Sequence, residues 1–318
     1  MKVISFFSYK GGAGRSTLAY NIIPILAQKY YRPTKESPMI VIDTDVDSCG
    51  MSYLLEAENK IEKDNCVQHL LGEPFYVQPA ASIKEHPFLS KLIPVGNAYG
   101  YPDNEAILLL PAFDNKAISA GEKSNYNGSE FAKDNMEKFL KTCRRFFKVP
   151  AVIIDSAVGN NATANVSNEV SDVIVCCMRP TTQFVNGTKR FLLALEKDNA
   201  DGIEAEMKNM SETDIVLVPN VIPPEEISIN GVQYPETAKS KIQSSFITPD
   251  FMEGSRHKYH LDLLDWDCFG IPAVERFMWK EDILFCQDPD TLTKNDQLAL
   301  SRYKRLADII YNIELRDE

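Results

Sequence analysis

The sequence predicts an α/β fold: a doubly wound, mainly parallel sheet flanked by helices. Two observations predict it. Five short apolar runs rich in β-branched residues (residues 3–7, 39–42, 151–154, 173–177 and 215–218) show no alternation with polar residues. Strands covered on both faces of a parallel sheet read this way. Helical patterns separate the runs, and strand–helix alternation builds such a sheet through right-handed crossovers.

The elements follow in order. After the first strand, Leu18, Ile22, Ile25 and Leu26 recur at helical spacing, and Pro24 is expected to kink or loosen that helix. Residues 185–197 and 297–313 read as two further amphipathic helices. Lys138, Lys141, Arg144, Arg145 and Lys148 form the densest basic cluster. They fit the solvated face of another helix, with Phe139, Leu140, Cys143, Phe146 and Phe147 turned inward, better than a nucleic-acid stripe.

The 318 residues read as a single domain with two long elaborations, at about 56–135 and 221–267. The first holds only short apolar runs, at 91–95 and 106–110. The second contains Ile227-Ser-Ile-Asn230-Gly231-Val-Gln-Tyr234, an Asn-Gly turn between alternating residues that signals a hairpin. Loops of this length usually carry function.

Composition narrows the function classes. The chain is 44% hydrophobic and 25% charged, ordinary for a globular protein, and no apolar run approaches the roughly 18 residues of a membrane-spanning helix. The first residues show no secretory pattern. Seven cysteines without a CxxC spacing read as buried thiols in a reducing compartment, with neither a disulfide framework nor a zinc site. A cytoplasmic protein is expected. A net charge of −11 makes broad binding to nonspecific DNA unexpected, though it allows one local basic stripe.

The chemistry concentrates in residues 8–17, Ser-Tyr-Lys-Gly-Gly-Ala-Gly-Arg-Ser-Thr, between the first strand and the first helix. Gly11, Gly12 and Gly14 allow successive backbone N–H groups to point at a phosphate, and the helix N-terminus adds positive potential. Ala13 lies between them. Ser16 is placed to offer a hydroxyl to Mg²⁺ and Thr17 to reach an inner phosphate. The general P-loop pattern G-x-x-x-x-G-K-[ST] has lysine where this chain has Arg15, whose planar fork carries the same charge in a bulkier form. The expected ligands are a nucleoside triphosphate and Mg²⁺, with Arg15 putting efficient hydrolysis in question.

Lys10 sharpens this reading. K-G-G-A-G-R-S-T resembles the deviant Walker A motif, K-G-G-x-G-K-[ST]-T, of the ParA/MinD family of P-loop ATPases. The resemblance implies that Lys10 reaches the partner's phosphates across a nucleotide-sandwich homodimer. Val41-Ile-Asp43-Thr-Asp45 resembles the family's switch I segment, which implies that Asp43 supports the metal–phosphate site and Asp45 positions the attacking water. Residues 151–159, Ala-Val-Ile-Ile-Asp-Ser-Ala-Val-Gly, resemble its Walker B and switch II stretch, although the two usual prolines are absent. By that likeness Asp155 holds Mg²⁺ through water and Gly159 senses the γ-phosphate. Each aspartate alone also suits a turn or a helix cap, and it is their order after the glycine-rich loop that favours the metal. Residues 216–220, Val-Leu-Val-Pro-Asn, resemble the strand whose final asparagine reads adenine, here Asn220, and Gly270-Ile-Pro272 resembles the strand end beside the base. The likeness spans roughly residues 1–55, 136–220 and 268–315.

The family implies an ATP-driven dimerisation switch that positions or regulates a cargo or partner protein, with a protein activator and slow basal ATPase turnover. The alternative is a nucleotide-binding interaction module that keeps ATP as a structural ligand. Related metal-cluster carriers need paired cysteines that this chain lacks. Related GTPases need a lysine and an aspartate after Asn220, and tyrosine kinases of this type carry a tyrosine-rich tail. The ending Tyr311-Asn-Ile-Glu-Leu-Arg-Asp-Glu is acidic and does not suit a basic membrane helix.

Overall fold

A computed structural model describes residues 1–112, 130–196, 213–223, 228–229, 232–248 and 257–315. Its strands are β1 (Lys2–Phe7), β2 (Met39–Asp43), β3 (Ile93–Pro94), β4 (Ile107–Leu110), β5 (Ala151–Asp155), β6 (Val173–Met178), β7 (Asp214–Pro219), β8 (Ser228–Ile229), β9 (Val232–Gln233) and β10 (Lys258–His260). The helices are α1 (Arg15–Ile25), α2 (Gly50–Leu54), α3 (Val67–Gly72), α4 (Glu130–Phe147), α5 (Ala162–Glu169), α6 (Thr182–Glu196), α7 (Tyr234–Phe246) and α8 (Lys294–Asn312).

The five apolar runs all become strands, and every residue of β1, β2, β5, β6 and β7 is buried, as two covered faces require. One eight-stranded sheet has the order β10-β7-β6-β1-β5-β2-β4-β3. Pairings of β2 with β4 and β5, and of β7 with β6 and β10, are parallel, while β3 runs antiparallel to β4. The predicted doubly wound α/β class is the observed one.

The chain falls into two compact units. The first comprises Met1–Ser5, Leu26–Ala157 and Asn161–Asp172. Its core joins the predicted apolar face of α4 (Phe139, Leu140, Cys143 and Phe147, with Phe146 only partly buried against it), and Met136 besides, to Leu70, Phe75, Phe88 and Leu92 from the first elaboration. Phe139 meets Phe75 and Phe88 edge-on, at 5.9 and 6.1 Å between ring centres. Lys141, Arg144, Arg145 and Lys148 are exposed, in keeping with the solvated-face reading. The short runs at 91–95 and 106–110 supply β3 and β4, so this elaboration extends the sheet.

The second unit comprises Phe6–Ile25, Val158–Asn160 and Val173–Glu318. Here α1 packs on α8, α6 on α7, and Phe7 stacks on Phe191 at 4.2 Å. Thr293 and Asp296 close a reciprocal capping box on α8. In the second elaboration, β8 and β9 pair antiparallel as predicted, while the turn Asn230-Gly231 lies outside the described residues. Pro24 acts as expected. It leaves no N–H for the helical ladder, and the chain passes at Leu26–Tyr31 into a wider π-type turn, with Arg32 N–H donating to Ala27 O at 2.9 Å. Among the described residues no helix is long and apolar enough to cross a membrane.

Candidate functional site

The site residues divide between the two units. The second unit carries the glycine-rich turn. Leaving β1, the chain is held by the Ser8 hydroxyl, which donates to the Lys10 carbonyl (3.1 Å). Gly12 and Gly14 then adopt φ of +84° and +75°, a region costly to any residue with a Cβ. Leu18 N–H donates to Gly14 O (2.9 Å), which starts the helical ladder, and the first N–H groups of a helix find no partner within it. Lys10, Gly11 and Gly12 are exposed, Ser16 and Thr17 are half-buried, and Ala13 is buried.

Two cations flank this turn. Lys10 is solvent-facing, and its Nζ donates to Gln183 Oε1 on α6 (2.8 Å). Just before it, the Tyr9 ring lies so close to Gly187 that a Cβ there would overlap the ring. Arg15 is only 6% exposed, and its Nη2 lies 3.4 Å from Ser16 Oγ. The guanidinium is thus tucked beside the hydroxyl expected to meet a metal ion.

Gly159 (φ +75°) donates its N–H to Ser8 O (3.0 Å), joining the predicted γ-phosphate sensor to the start of the turn. Asn220, at the end of β7, is buried, and its Nδ2 donates to Ala13 O (2.9 Å) and Gly14 O (3.3 Å) and touches Cys177 Sγ (3.4 Å). Cys177 Sγ in turn donates to Ala13 O (3.3 Å). Pro272 pairs as a parallel bridge with Ile222, two residues beyond Asn220, which brings these two positions to one end of β7.

The first unit carries the carboxylates. Asp43 and Asp155 end β2 and β5 in direct register, and both are fully buried. Asp43 Oδ2 accepts from the Ser52 N–H and hydroxyl (2.8 Å each), and its Oδ1 accepts from Asp45 N–H (3.0 Å). Burial, and then the charge of Asp155, push the Asp43 carboxyl up to about 7, against the lowering effect of those hydrogen bonds. Between the two, Thr44 donates its N–H to Asp155 O (2.9 Å), while its hydroxyl sits 3.1 Å from Asp155 O and Ser167 Oγ and accepts from Ala157 N–H (3.2 Å). Asp45 is buried, and its Oδ1 accepts from Ser48 N–H (3.3 Å).

Among the described residues no group of three or more His, Cys, Asp or Glu side chains is arranged to hold a metal ion. Mg²⁺ favours a different donor set, one or two carboxylates completed by water and phosphate oxygens. The in-register pair Asp43 and Asp155 fits it: two buried carboxyl groups side by side disfavour a second negative charge, and a divalent cation would relieve that.

Sequence reasoning singled out the loop, the aspartates, Gly159, Asn220 and Pro272, and missed the supporting contacts of Thr44, Ser52, Cys177 and Gln183. Thr44 sits inside the D-x-D segment and was within reach. Ser52, Cys177 and Gln183 act through contacts 9, 164 and 173 residues apart in the chain, which no local pattern announces.

A buried strand, a glycine-rich turn and a helix N-terminus, with aspartates ending β2 and β5, define a P-loop fold. More narrowly, the chain shares the fold of the ParA/MinD P-loop proteins, as solved structures show. The McdA–ATP complex from Cyanothece matches with a TM-score of 0.62 at 14% identity, over 100% of this chain and 99% of that one. A plasmid partition protein from Borrelia burgdorferi gives 0.57 at 16%, over 97% and 96%. The septum site-determining protein MinD with Mg-ADP from Pyrococcus horikoshii gives 0.58 at 13%, over 98% and 96%. No family model matches the sequence, and no curated protein matches it either.

Proposed function

We propose that this chain is a Mg²⁺-dependent, ATP-binding dimerisation switch of the ParA/MinD type, its 318 residues working as one ATPase domain. The observation that carries the reading is the loop itself: Lys10, Gly11, Gly12, Ala13, Gly14, Arg15, Ser16 and Thr17 stand between a buried strand and a helix start, with Gly12 and Gly14 in left-handed conformations. The likeness to McdA with ATP and MinD with Mg-ADP supports the choice of ligand.

In this reading the loop N–H groups and Arg15 hold the phosphate chain. Ser16, Asp43 and Asp155 hold Mg²⁺, which when bound neutralises charge on the β- and γ-phosphates. Asp45 orients a water molecule, whose oxygen bonds to the γ-phosphorus as the bond to the bridging oxygen breaks, giving ADP and phosphate. Gly159 follows the γ-phosphate. Lys10 leaves Gln183 and engages the phosphates of a second copy, so ATP bridges a homodimer that hydrolysis releases. A partner protein then reads or stimulates the dimer.

The buried position of Arg15 favours a second reading, a nucleotide-binding interaction module with ATP as a structural ligand. Strong ground-state contact with phosphate does not by itself accelerate the chemical step. Calorimetric titration with ATP and GTP, with and without Mg²⁺, tests what the two readings share. ATP should bind more tightly than GTP and need Mg²⁺. Absence of binding overturns both readings.

A further inference from the structure

We propose that Asn220 positions the phosphate loop with its side-chain amide, and so sets affinity for the phosphate chain and not the choice of base. The inference deepens the nucleotide-binding reading and rests on it.

The orientation of the amide is fixed by its surroundings. It faces the carbonyl oxygens of Ala13 and Gly14, at 2.9 and 3.3 Å, and the sulfur of Cys177, whose own proton is directed at Ala13 O. An amide oxygen turned that way would meet two carbonyl oxygens with no proton between them, so the NH₂ end belongs there. Its nitrogen has both carbonyls and the sulfur within reach, so its protons are directed at the loop and at β6. A base reader needs those same protons for a ring nitrogen, and here they are engaged.

The loop is shaped to receive this contact. A Cβ on Gly14 would lie 2.8 Å from Asn220 Nδ2 and 3.3 Å from Val221 Cγ2, so glycine there provides room as well as its φ of +75°. Asn220 is itself clamped. Its N–H donates to Met178 O (2.7 Å), Ile271 N–H to Pro219 O (2.8 Å), Ile222 N–H to Ile271 O (3.0 Å) and Ala273 N–H to Ile222 O (2.7 Å). Val221, a β-branched residue, is held at φ +56°, a strained conformation that persists only where its neighbours enforce it. A rigid strand end thus grips the carbonyl side of the turn and turns its N–H side outward.

The test is calorimetry with three probes, MgATP, MgGTP and magnesium tripolyphosphate, on the wild type, Asn220→Ala, Asn220→Asp and Gly14→Ala, with thermal melts to confirm folding. Removing one partner of a buried hydrogen bond should weaken all three probes by a common factor of about ten to a hundred and leave the ATP-to-GTP ratio unchanged. Asn220→Asp, which sets a carboxylate against two carbonyls, should lose at least as much as alanine. Gly14→Ala displaces the amide but also strains the loop at φ +75°, so a uniform loss there is expected on either account, and Asn220→Asp, close to asparagine in shape, keeps the test decisive if Asn220→Ala does not fold. Unchanged tripolyphosphate affinity in Asn220→Ala, or a shift toward GTP in Asn220→Asp, overturns the positioning role. A wild type that binds none of the probes overturns the nucleotide reading instead.

Discussion

The two groups of site residues are built on opposite principles. The phosphate loop is cationic and open: Lys10 and the first glycines face solvent, and the turn is held from behind by Asn220 and Cys177. The carboxylate group is anionic and closed. Asp43 and Asp155 are fully buried in register, and the Asp43 carboxyl is pushed up to about 7. An open cationic loop can select a polyanion directly. A closed carboxylate pair holds two like charges in register, which a cation would relieve. On the proposed reading the contrast assigns one ligand to each group, a polyanion to the loop and a cation to the carboxylates.

The largest effect should come from attacking the loop through Arg15. Arg15→Ala removes the guanidinium and should abolish measurable ATP binding, while Arg15→Lys should keep binding and raise turnover. Arginine's two directed hydrogen bonds suit the ground state, whereas a compact ammonium follows charge as the bond to the leaving oxygen lengthens. Single-turnover measurements on the three proteins check this. Lower turnover in Arg15→Lys would give the arginine a positive catalytic role and remove the slow-switch reading.

The carboxylate group can be broken on its own. Burial and the neighbouring Asp155 hold the Asp43 carboxyl up at about 7, against the ordinary aspartate value of 3.8. Below about pH 4 that contribution to stability is fully present, and it is lost as pH rises from about 4 to about 7. Without nucleotide or Mg²⁺, Asp43→Asn has no such proton to lose. Its stability relative to wild type should therefore improve across that window by roughly 2–4 kcal/mol, whatever the offset from the altered bonds to Ser52 and Asp45. Urea melts at pH 4.5, 6 and 8 measure it. A parallel pH dependence in the two proteins would show that the folded carboxyl is not raised.

The smallest effect concerns the basic face of α4. With a net charge of −11 and a solvated cluster, binding to nonspecific DNA should be weak at physiological salt. The double variant Lys141→Glu, Arg144→Glu should change it little. Binding with a steep salt slope that this variant abolishes would make α4 a second cationic surface and blur the contrast between the two groups.

Much of this was legible in the sequence where the signal is local. Buried parallel strands, the glycine-rich turn, the two strand-end aspartates and the effect of Pro24 each follow from a few adjacent residues. The first elaboration was less legible. Residues 91–95 and 106–110 read only as apolar runs because β3 has two residues and β4 four; β4 gains its strand identity from pairing with β2, more than 60 residues earlier, and β3 from pairing with β4. β10, Lys-Tyr-His, has no apolar signature at all and joins the sheet only as the parallel edge beside β7. Asn220 was singled out by position, yet its hydrogen bonds reach back to Ala13 and Gly14, and only the fold shows that its amide is engaged there.

The account stands most directly on Lys10. In this structure its ammonium rests on Gln183, exposed and outside the loop's own hydrogen bonds, where a second copy could receive it. Light scattering of wild type and Lys10→Ala, each with Mg²⁺ and a slowly hydrolysed ATP analogue, is the measurement. The wild type should double in mass on adding nucleotide. Lys10→Ala should bind the analogue with nearly unchanged affinity and remain a monomer. A Lys10→Ala protein that still dimerises with nucleotide, or a wild type that never does, would contradict the switch.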